Sequence, residues 1–327
     1  MKAVMYEGIG KLSIRDVEKP KIGEDGILVK IVYSFICSTD IKTFKQGHPM
    51  IKPPTILGHE CSGRIVEVGS KVEGFEVGEC VAVAPFVNCG ECEQCIGGNP
   101  EGCRNRSFPS NGAMTEYLSV DMSYARKGVW KVSESQIKEA ALAEPMACAL
   151  TSCRNMKLQP GESVLVVGAG IMGMLNATAL RDIYGQIVKI VDTREDRLKF
   201  AEEMGFSTSL EASGKFNSIV LTAPIPELID RYLPMVKLFG NLVLFGGYPK
   251  GIKASFDPNI IHYNGIRMTG TTGFAPKDFA AATSLMNSGQ LLLTPFTNRI
   301  YEFSDFEEAF NDAVEGRSIK VGIKVGE

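Results

Sequence analysis

Residues 163–173 read SVLVVGAGIMG and carry the strongest indication of the fold. The first five residues are apolar apart from the serine, and three of them are valine, a composition typical of a buried strand. Three glycines follow with the spacing G-x-G-x-x-G, directly after the strand and at the start of a helical segment. Because this context is more informative than the spacing alone, the stretch predicts a strand, a tight turn and a helix that bind a dinucleotide.

Each glycine of this motif has its own physical task. Gly168 permits the tight turn, Gly170 lets a pyrophosphate approach the backbone, and Gly173 lets the helix pack closely on the strand. Free N–H groups at the start of the helix, including those of Ile171 and Met172, lie at the positive end of the helix dipole. These groups are predicted to hold the phosphates.

An acidic residue follows at the distance expected for a ribose contact. Asp192 ends the next predicted strand, nineteen positions after Gly173. Such a residue accepts hydrogen bonds from ribose hydroxyls and repels a 2′-phosphate, so it predicts NAD rather than NADP. Arg194 and Arg197 would partly offset that repulsion, and Arg197 is a predicted cofactor contact. The alternative is a helix start at which Asp192 is a cap and both arginines are solvated.

Strands and helices alternate around this motif, which predicts a doubly wound parallel sheet covered by helices. The predicted strands are Ser163–Val167, Ile187–Val191, Ser218–Thr222, Leu242–Phe245 and Arg267–Thr269, and the predicted helices are Ile171–Tyr184, Arg194–Met204, Ile225–Leu238 and Lys277–Ser288.

The first part of the chain has short, partly alternating strands between Gly and Pro turns, which predict a compact β-barrel or sandwich. A predicted helix at Ile137–Arg154 marks the change to the α/β region. Near the C-terminus, a helix at Glu302–Gly316 and a strand at Lys320–Val325 could join either region. The predicted strands of the first part are Lys2–Tyr6, Leu12–Val17, Ile27–Tyr33, Gly63–Val68, Cys80–Ala84 and Ala113–Val120.

Four of the nine cysteines lie within fifteen positions, with the spacing C-x2-C-x2-C-x7-C. Four thiolates form a closed tetrahedral Zn²⁺ site, whose role is structural because no position is open to substrate. An iron–sulfur cluster is the alternative, but Arg104 follows the last cysteine where ferredoxins carry a proline. The predicted structural zinc ligands are Cys89, Cys92, Cys95 and Cys103.

Three other segments carry residues suited to a catalytic metal site. Cys37 follows a predicted strand, His59 and Glu60 precede another, and Glu144 stands before a proline. One soft ligand, one imidazole and carboxylates suit a zinc ion that keeps a position open. Each residue also has an ordinary interpretation, as a core cysteine, a surface histidine or a helix residue. The prediction therefore depends on their occurring together.

In their order along the chain, Gly58-His59-Glu60, the cysteine cluster and the glycine motif resemble the zinc-containing medium-chain alcohol dehydrogenases. The resemblance covers essentially the whole chain and is closest to the polyol (sorbitol-like) and threonine dehydrogenase branch. It implies a GroES-like β-barrel catalytic domain, formed by residues 1–144 and 291–327, that carries both zinc sites. It also implies a Rossmann-type NAD-binding domain at residues 145–290.

The same resemblance implies residue roles: Cys37, His59 and Glu60 as catalytic zinc ligands, and Glu144 as a carboxylate that binds the zinc or holds its water. Zinc lowers the pKa of a bound hydroxyl, so an alcohol can lose its proton and transfer hydride to the nicotinamide.

Thr39 matches the hydroxyl that begins the proton relay of the family. The chain departs from the family three positions later, where Lys42 replaces a relay histidine. A lysine can carry the proton, or water can do so in its place. The segment between residues 205 and 218 is also shorter than usual, which predicts a trimmed crossover.

The predicted function is oxidation of a secondary alcohol of a small polyol, sugar or cyclitol, with two Zn²⁺ per chain and NAD as cofactors. A threonine-like amino alcohol or a simple diol is the alternative substrate. A zinc-ribbon protein that binds nucleic acid is disfavoured by the net charge of −3 and the scattered basic residues. A zinc-free quinone reductase of the same fold is disfavoured by the presence of Cys37, His59 and Glu60.

The composition, 44% apolar and 22% charged, is ordinary for a globular protein of about two domains. The N-terminus lacks a basic start followed by an apolar run, and glycines interrupt the apolar stretch Val164–Leu180. No signal peptide or membrane span is predicted, and the expected location is the cytoplasm. The resemblance further implies a homodimer or homotetramer formed through the α/β domain.

Overall fold

The computed structural model describes residues 1–326. The chain divides into two compact units: unit 1 comprises residues 1–147 and the chain from Ala275 onward, and unit 2 comprises Cys148–Phe274. The strands are β1 (Lys2–Gly8), β2 (Lys11–Asp16), β3 (Gly26–Phe35), β4 (Thr55–Ile56), β5 (Glu60–Val68), β6 (Cys80–Val83), β7 (Tyr117–Asp121), β8 (Val129–Lys131), β9 (Ser163–Val167), β10 (Ile187–Val191), β11 (Ser207–Ser209), β12 (Phe216–Leu221), β13 (Val236–Leu244), β14 (Arg267–Gly270), β15 (Ile300–Glu302) and β16 (Gly322–Lys324). The α-helices are α1 (Ser38–Gln46), α2 (Glu93–Ile96), α3 (Met122–Gly128), α4 (Ile137–Ala140), α5 (Ala143–Asn155), α6 (Ile171–Thr178), α7 (Glu195–Glu203), α8 (Glu227–Tyr232), α9 (Pro258–Asn264), α10 (Pro276–Asn287) and α11 (Phe306–Glu315).

Unit 1 is built on two sheets. The larger sheet has the order β15-β16-β3-β5-β6-β8, with β7 also paired to β3, and the smaller sheet has the order β2-β1-β4. Strand β16 pairs antiparallel with β3, with Ile323 opposite Ser34. The C-terminal segment therefore joins the β-rich unit, which answers the question that periodicity alone leaves open.

Apolar packing in unit 1 fixes the helix that follows β3. The Phe44 ring of α1 meets the Phe310 ring of α11 edge to face, with centroids 5.1 Å apart. Phe306 and Phe310 belong to a buried cluster that also contains Val4 and Tyr6 of β1. Because aromatic pairs and buried apolar area hold α1 against α11, the start of α1 has a fixed position beside the sheet.

Unit 2 contains a six-stranded, all-parallel sheet with the order β11-β10-β9-β12-β13-β14. Renumbered from β9, this is the order 3-2-1-4-5-6 of the Rossmann fold. Val164, Leu165 and Val166 of the central strand β9 are fully buried, as expected for a strand covered on both faces. The predicted fold class is confirmed. Residues 210–215 connect β11 to β12 without a helix, which is the shortened crossover that the sequence predicts.

Several predicted boundaries differ from the structure. The helix predicted at Ile225–Leu238 is shorter in the structure: α8 ends at Tyr232, a 3₁₀ turn at Leu233–Met235 follows, and β13 begins at Val236. Pro234 in that turn has no N–H to continue an α-helix. The helix predicted at Ile137–Arg154 is split into α4 and α5. The strand predicted at Ala113–Val120 begins only at Tyr117, and the π-helical segment Ala179–Ile183 continues α6.

The unit boundary also differs from the predicted domain boundary. Residues 275–290 cluster with unit 1, although the sequence assigns them to the coenzyme domain. Helix α10 packs against α4 and β8. The Asn287 amide accepts a hydrogen bond from Ser133 N at 3.0 Å and donates one to Lys131 O at 3.0 Å, which fixes the end of this helix in unit 1. Across residues 1–326, no helix is both long and apolar enough to cross a membrane.

Candidate active site and metal centres

The glycine turn between β9 and α6 leaves no room for side chains at two positions. Gly168 has φ +105°, and a Cβ on it would lie 2.4 Å from Oγ1 of Thr222. A Cβ on Gly173 would lie 1.8 Å from the Gly168 carbonyl oxygen. Thr222 was not identified from the sequence; its hydroxyl donates to Val167 O at 2.8 Å and so supports the turn. The helix can approach the strand this closely only because Gly173 has no side chain.

Gly170 is different, because the space beside it is open. It is the N-cap of α6, and a Cβ there would meet only Arg197 Nη1, at 3.7 Å, within 4 Å. Ile171 and Met172 form the first turn of α6, at the positive end of the helix dipole. This end of the helix can accept an anion.

Asp192 follows β10 and faces the same turn. Its Oδ2 accepts a hydrogen bond from Ala169 N at 2.6 Å, and its Oδ1 accepts one from Arg194 N at 2.9 Å. Arg197 Nη1 lies 3.9 Å from Oδ2. The Arg194 guanidinium is held by Asp196, with Nε 3.0 Å from Oδ1. Arg197 is therefore the arginine that the structure brings to both Asp192 and Gly170.

The four clustered cysteines converge around one point. Their ligand atoms all lie within 4.8 Å of one another, and four of the sulfur–sulfur distances measure between 3.6 and 3.9 Å. A tetrahedral ion with about 2.3 Å to each sulfur requires sulfur–sulfur distances of about 3.8 Å. The arrangement therefore fits a Zn²⁺ ion closely. The residues are Cys89, Cys92, Cys95 and Cys103.

The protonation behaviour of this cluster agrees with a cation site. The backbone N–H of Cys95 and the neighbouring sulfurs lower the pKa of Cys92 to about 6. Burial and hydrogen bonds to the other sulfurs raise the pKa of Cys95 to about 12. All four groups can be thiolates together only when a cation offsets their mutual repulsion.

A second group of ligand atoms, from Cys37, His59 and Glu60, also lies within 4.8 Å. Cys37 is the N-cap of α1, and its sulfur accepts a hydrogen bond from Thr39 N at 3.5 Å. Asp40 completes a capping box, since its Oδ2 accepts a hydrogen bond from Cys37 N at 3.0 Å. The helix start thus fixes the direction of the thiol.

Asp40 also holds the imidazole, a role that sequence reasoning missed. Its side chain is 1% exposed; Oδ1 lies 3.6 Å from His59 Nδ1 and accepts from Gly58 N at 3.3 Å. Burial raises the pKa of Asp40, but the charge of His59 and these hydrogen bonds outweigh burial and lower it. A carboxylate behind one ring nitrogen leaves the other nitrogen free to face a metal ion.

Glu60 has a buried cationic partner that the sequence did not indicate. Its side chain is 1% exposed, and Lys320 Nζ lies 2.8 Å from Oε1 and 2.6 Å from Oε2. The same Nζ donates to Ile36 O at 3.0 Å. Burial lowers the pKa of Lys320, but the charges of Glu60 and Cys37 outweigh it and raise the pKa. Lys320 is therefore a charged group beside the ligand cluster.

The other predicted residues surround this cluster. Glu144 lies in the first turn of α5, and its charge also contributes to the raised pKa of Lys320. Thr39 lies in the first turn of α1, where its carbonyl accepts from Thr43 Oγ1 at 2.7 Å. Lys42 is exposed, three positions further along the same helix, so it shares a helix face with Thr39.

Comparisons with known proteins agree with this geometry. Residues 23–134 match the model of the alcohol dehydrogenase GroES-like domain. L-threonine 3-dehydrogenase from Idiomarina loihiensis is 29% identical over 94% of each chain. Sorbitol dehydrogenase from Bacillus subtilis is 32% identical over 63% of this chain and 59% of its own length. A solved zinc-binding dehydrogenase from Sinorhizobium meliloti, bound to NADP, superposes with a TM-score of 0.89 at 25% identity over 99% of each chain.

A GroES-like unit and a Rossmann-type unit in one chain, with two sets of metal-ligand side chains, define a dehydrogenase that uses a nicotinamide cofactor. Residues 23–134 belong to the alcohol dehydrogenase GroES-like domain family, and over nearly its whole length the chain is similar to zinc-binding dehydrogenases.

Proposed function

We propose that this protein oxidises a secondary alcohol of a small polyol, sugar or cyclitol and passes the hydride to NAD. The observation that carries the proposal is the convergence of Cys37, His59 and Glu60, with Asp40 behind the imidazole. A thiolate, an imidazole and a carboxylate provide three ligands, and a catalytic zinc site keeps its fourth position for substrate.

Two zinc ions per chain are part of this proposal. Sulfur–sulfur distances of 3.6 to 3.9 Å support a closed structural site, and the second cluster supports an open one. Zinc bound at the open site supplies a Lewis acid that lowers the pKa of a hydroxyl. Within this scheme, Cys37, His59 and Glu60 hold the ion, and Glu144 is the further carboxylate that binds it directly or orients water beside it.

The proton released from the alcohol needs a route away from the site. Thr39 is the proposed first acceptor, because it lies in the first turn of the helix whose N-cap is Cys37. Lys42 then passes the proton to solvent, because its side chain is exposed and lies on the same helix face. The alternative is a path in which water molecules carry the proton in place of Lys42.

The cofactor is proposed to bind at the glycine turn. The N–H groups of Ile171 and Met172 would hold the pyrophosphate beside Gly170, where the backbone is accessible. Asp192 would bind the ribose hydroxyls and disfavour a 2′-phosphate. Arg197, 3.9 Å from that carboxylate, would partly offset its charge.

A second candidate substrate is an amino alcohol such as threonine. L-Threonine is an amino alcohol with a secondary hydroxyl, and the relative from Idiomarina is named for it. Zinc-loaded protein should be assayed with NAD against sorbitol, xylitol, a cyclitol, 2,3-butanediol and L-threonine. A preference for a polyol or cyclitol supports the first proposal, and a preference for threonine supports the second. Activity on none of them would contradict both.

We further propose that unit 1 is the catalytic domain and unit 2 the coenzyme domain of a homodimer or homotetramer. Strand β14 is an edge strand of the unit 2 sheet and presents backbone groups for pairing. Light scattering of the purified protein would give the mass in solution.

A further inference from the structure

Lys320 is a buried lysine that connects the two segments carrying the metal ligands. Its side chain is 3% exposed, and its Nζ contacts both oxygens of Glu60. The third contact of Nζ is the carbonyl of Ile36, the residue immediately before Cys37. One ammonium group therefore ties the Cys37 segment to the His59-Glu60 segment.

The position of Lys320 is itself fixed by a buried carboxylate. Asp312 is 1% exposed, and its Oδ2 accepts from Arg299 Nε at 3.0 Å and from Ser318 Oγ at 3.0 Å. The backbone of Gly322 donates to Arg299 O at 2.9 Å. These bonds hold the chain on both sides of Lys320, so its ammonium group is pre-positioned and does not have to be ordered when a ligand binds.

The charges around the cluster explain why a cation is needed there. A Cys37 thiolate, Glu60, Glu144 and the Asp40 carboxylate behind His59 contribute four negative charges, whereas a zinc ion contributes two positive ones. Lys320 adds a third positive charge and leaves an excess of one negative charge. Buried charges are stable only when they are paired, and Glu60 has almost no contact with water to replace a partner.

We propose that Lys320 is a built-in counter-cation of the metal site, which keeps Glu60 in place without metal and competes with the metal ion for the Glu60 carboxylate. This inference rests on the proposed zinc site at Cys37, His59 and Glu60. Lys320 is a positioning residue in this account, because it acts through Glu60 and not on the substrate.

Removing the charge has opposite effects on the metal-free and metal-bound states. In Lys320→Met, the metal ion no longer competes with the ammonium group for the Glu60 carboxylate, so zinc at this site binds more tightly, by on the order of tenfold, equivalent to about 1.4 kcal/mol. The metal-free protein is left with an uncompensated buried carboxylate and unfolds at a lower temperature. Zinc therefore raises the melting temperature of the variant more than that of the wild type.

The experiment measures cobalt binding at the Cys37 cluster in protein whose four-cysteine cluster already holds zinc. Cobalt at the Cys37 cluster, which has one thiolate, gives an absorption band that a four-thiolate site does not reproduce. Competition with a chelator, followed by this band, then gives the affinity of the Cys37 cluster for cobalt. Lys320→Arg retains the charge and is the matched control. If Lys320→Met does not fold, Lys320→Gln removes the charge and keeps a hydrogen-bond donor. Glu60→Gln combined with the charge-removing substitution completes a double-mutant cycle.

The expected result is tighter cobalt binding in Lys320→Met or Lys320→Gln, near wild-type binding in Lys320→Arg, and loss of the effect in the Glu60→Gln background. Unchanged or weaker binding in both neutral variants would overturn the inference, and so would an equal gain in the Glu60→Gln background. These readouts need no alcohol substrate. A wild-type protein that binds cobalt here but oxidises no alcohol would contradict the proposed function alone, and one that binds no metal here would contradict both.

Discussion

Oδ1 of Asp40 lies 3.6 Å from Nδ1 of His59, and Oδ2 of the same carboxylate accepts a hydrogen bond from the backbone of Cys37. One buried carboxylate therefore orients two neighbouring side chains of the proposed metal site. The imidazole is held from behind, and the thiol is held through the cap of the helix that carries it.

Replacing this carboxylate should weaken zinc binding at the Cys37 cluster without removing any of the proposed ligands. We expect Asp40→Asn to lower zinc affinity at the Cys37 cluster by about tenfold to a hundredfold, as for other residues that orient a metal-bound histidine. Chelator competition followed by metal analysis measures the loss. Asp25→Asn, an exposed change in the same unit, is the control. Equal zinc retention in both variants would contradict the role given to Asp40.

Two glycines of the same motif should respond differently to alanine. At Gly173 a Cβ would lie 1.8 Å from a backbone oxygen, so Gly173→Ala should lower the free energy of unfolding by roughly 1–3 kcal/mol or more and weaken NAD binding as well. At Gly170 there is room for a methyl group, so Gly170→Ala should unfold near the wild-type temperature and lose only NAD affinity. Thermal unfolding without cofactor and calorimetric titration with NAD separate the two effects. Equal stability of the two variants would count against this description of the turn.

The choice between NAD and NADP should depend on the charge of Asp192. Asp192→Asn keeps an oxygen that can accept from Ala169 N but removes the negative charge. We expect the ratio of kcat/KM for NAD over NADP to fall by about tenfold, equivalent to ~1.4 kcal/mol. Glu195→Gln removes an exposed carboxylate from the first turn of α7 and should leave the ratio unchanged. A wild-type protein that already prefers NADP would contradict the assignment.

Lys42 and Lys45 provide a matched test of the proton route. Both are exposed on α1, but only Lys42 lies three positions after Thr39. Lys42→Ala should lower kcat, Lys45→Ala should not, and Thr39→Val should lower kcat by about 10²- to 10⁴-fold, the usual contribution of a positioned proton-transfer group. The zinc content of all three variants should equal that of the wild type. Equal kcat in the two lysine variants would favour the water-mediated path.

The parallel sheet could be predicted because its strands are covered on both faces and so appear as short apolar runs. Strand β10 spans Ile187–Val191 both in the prediction and in the structure. Strand β13 could not be placed in this way. The register change beside it exposes Leu238 to 64% and Phe239 to 76%, and these apolar residues extend the predicted helix too far.

The side chains that meet in the two clusters could be identified from local patterns, whereas the charged partners of His59 and Glu60 could not. The sequence contains a local indication of the role of Asp40, because this residue completes a capping box with Cys37. The helix was not predicted, because cysteine is an uncommon N-cap residue. No local pattern indicates the role of Lys320. It lies 260 residues from Glu60 in the chain, and their contact depends on the pairing of β16 with β3. Long-range pairs of this kind follow from the folded topology alone.

The zinc dependence of alcohol oxidation is measured most directly by zinc content and NADH formation in the wild type, Cys37→Ser and Cys92→Ser. We expect two zinc ions and polyol- or threonine-dependent NADH formation in the wild type. Cys37→Ser should keep one zinc ion and lose activity at a nearly unchanged melting temperature, whereas Cys92→Ser should lose the other zinc ion and melt earlier. Undiminished NADH formation by Cys37→Ser, or a wild type that holds both zinc ions and oxidises no alcohol with NAD, would contradict the account.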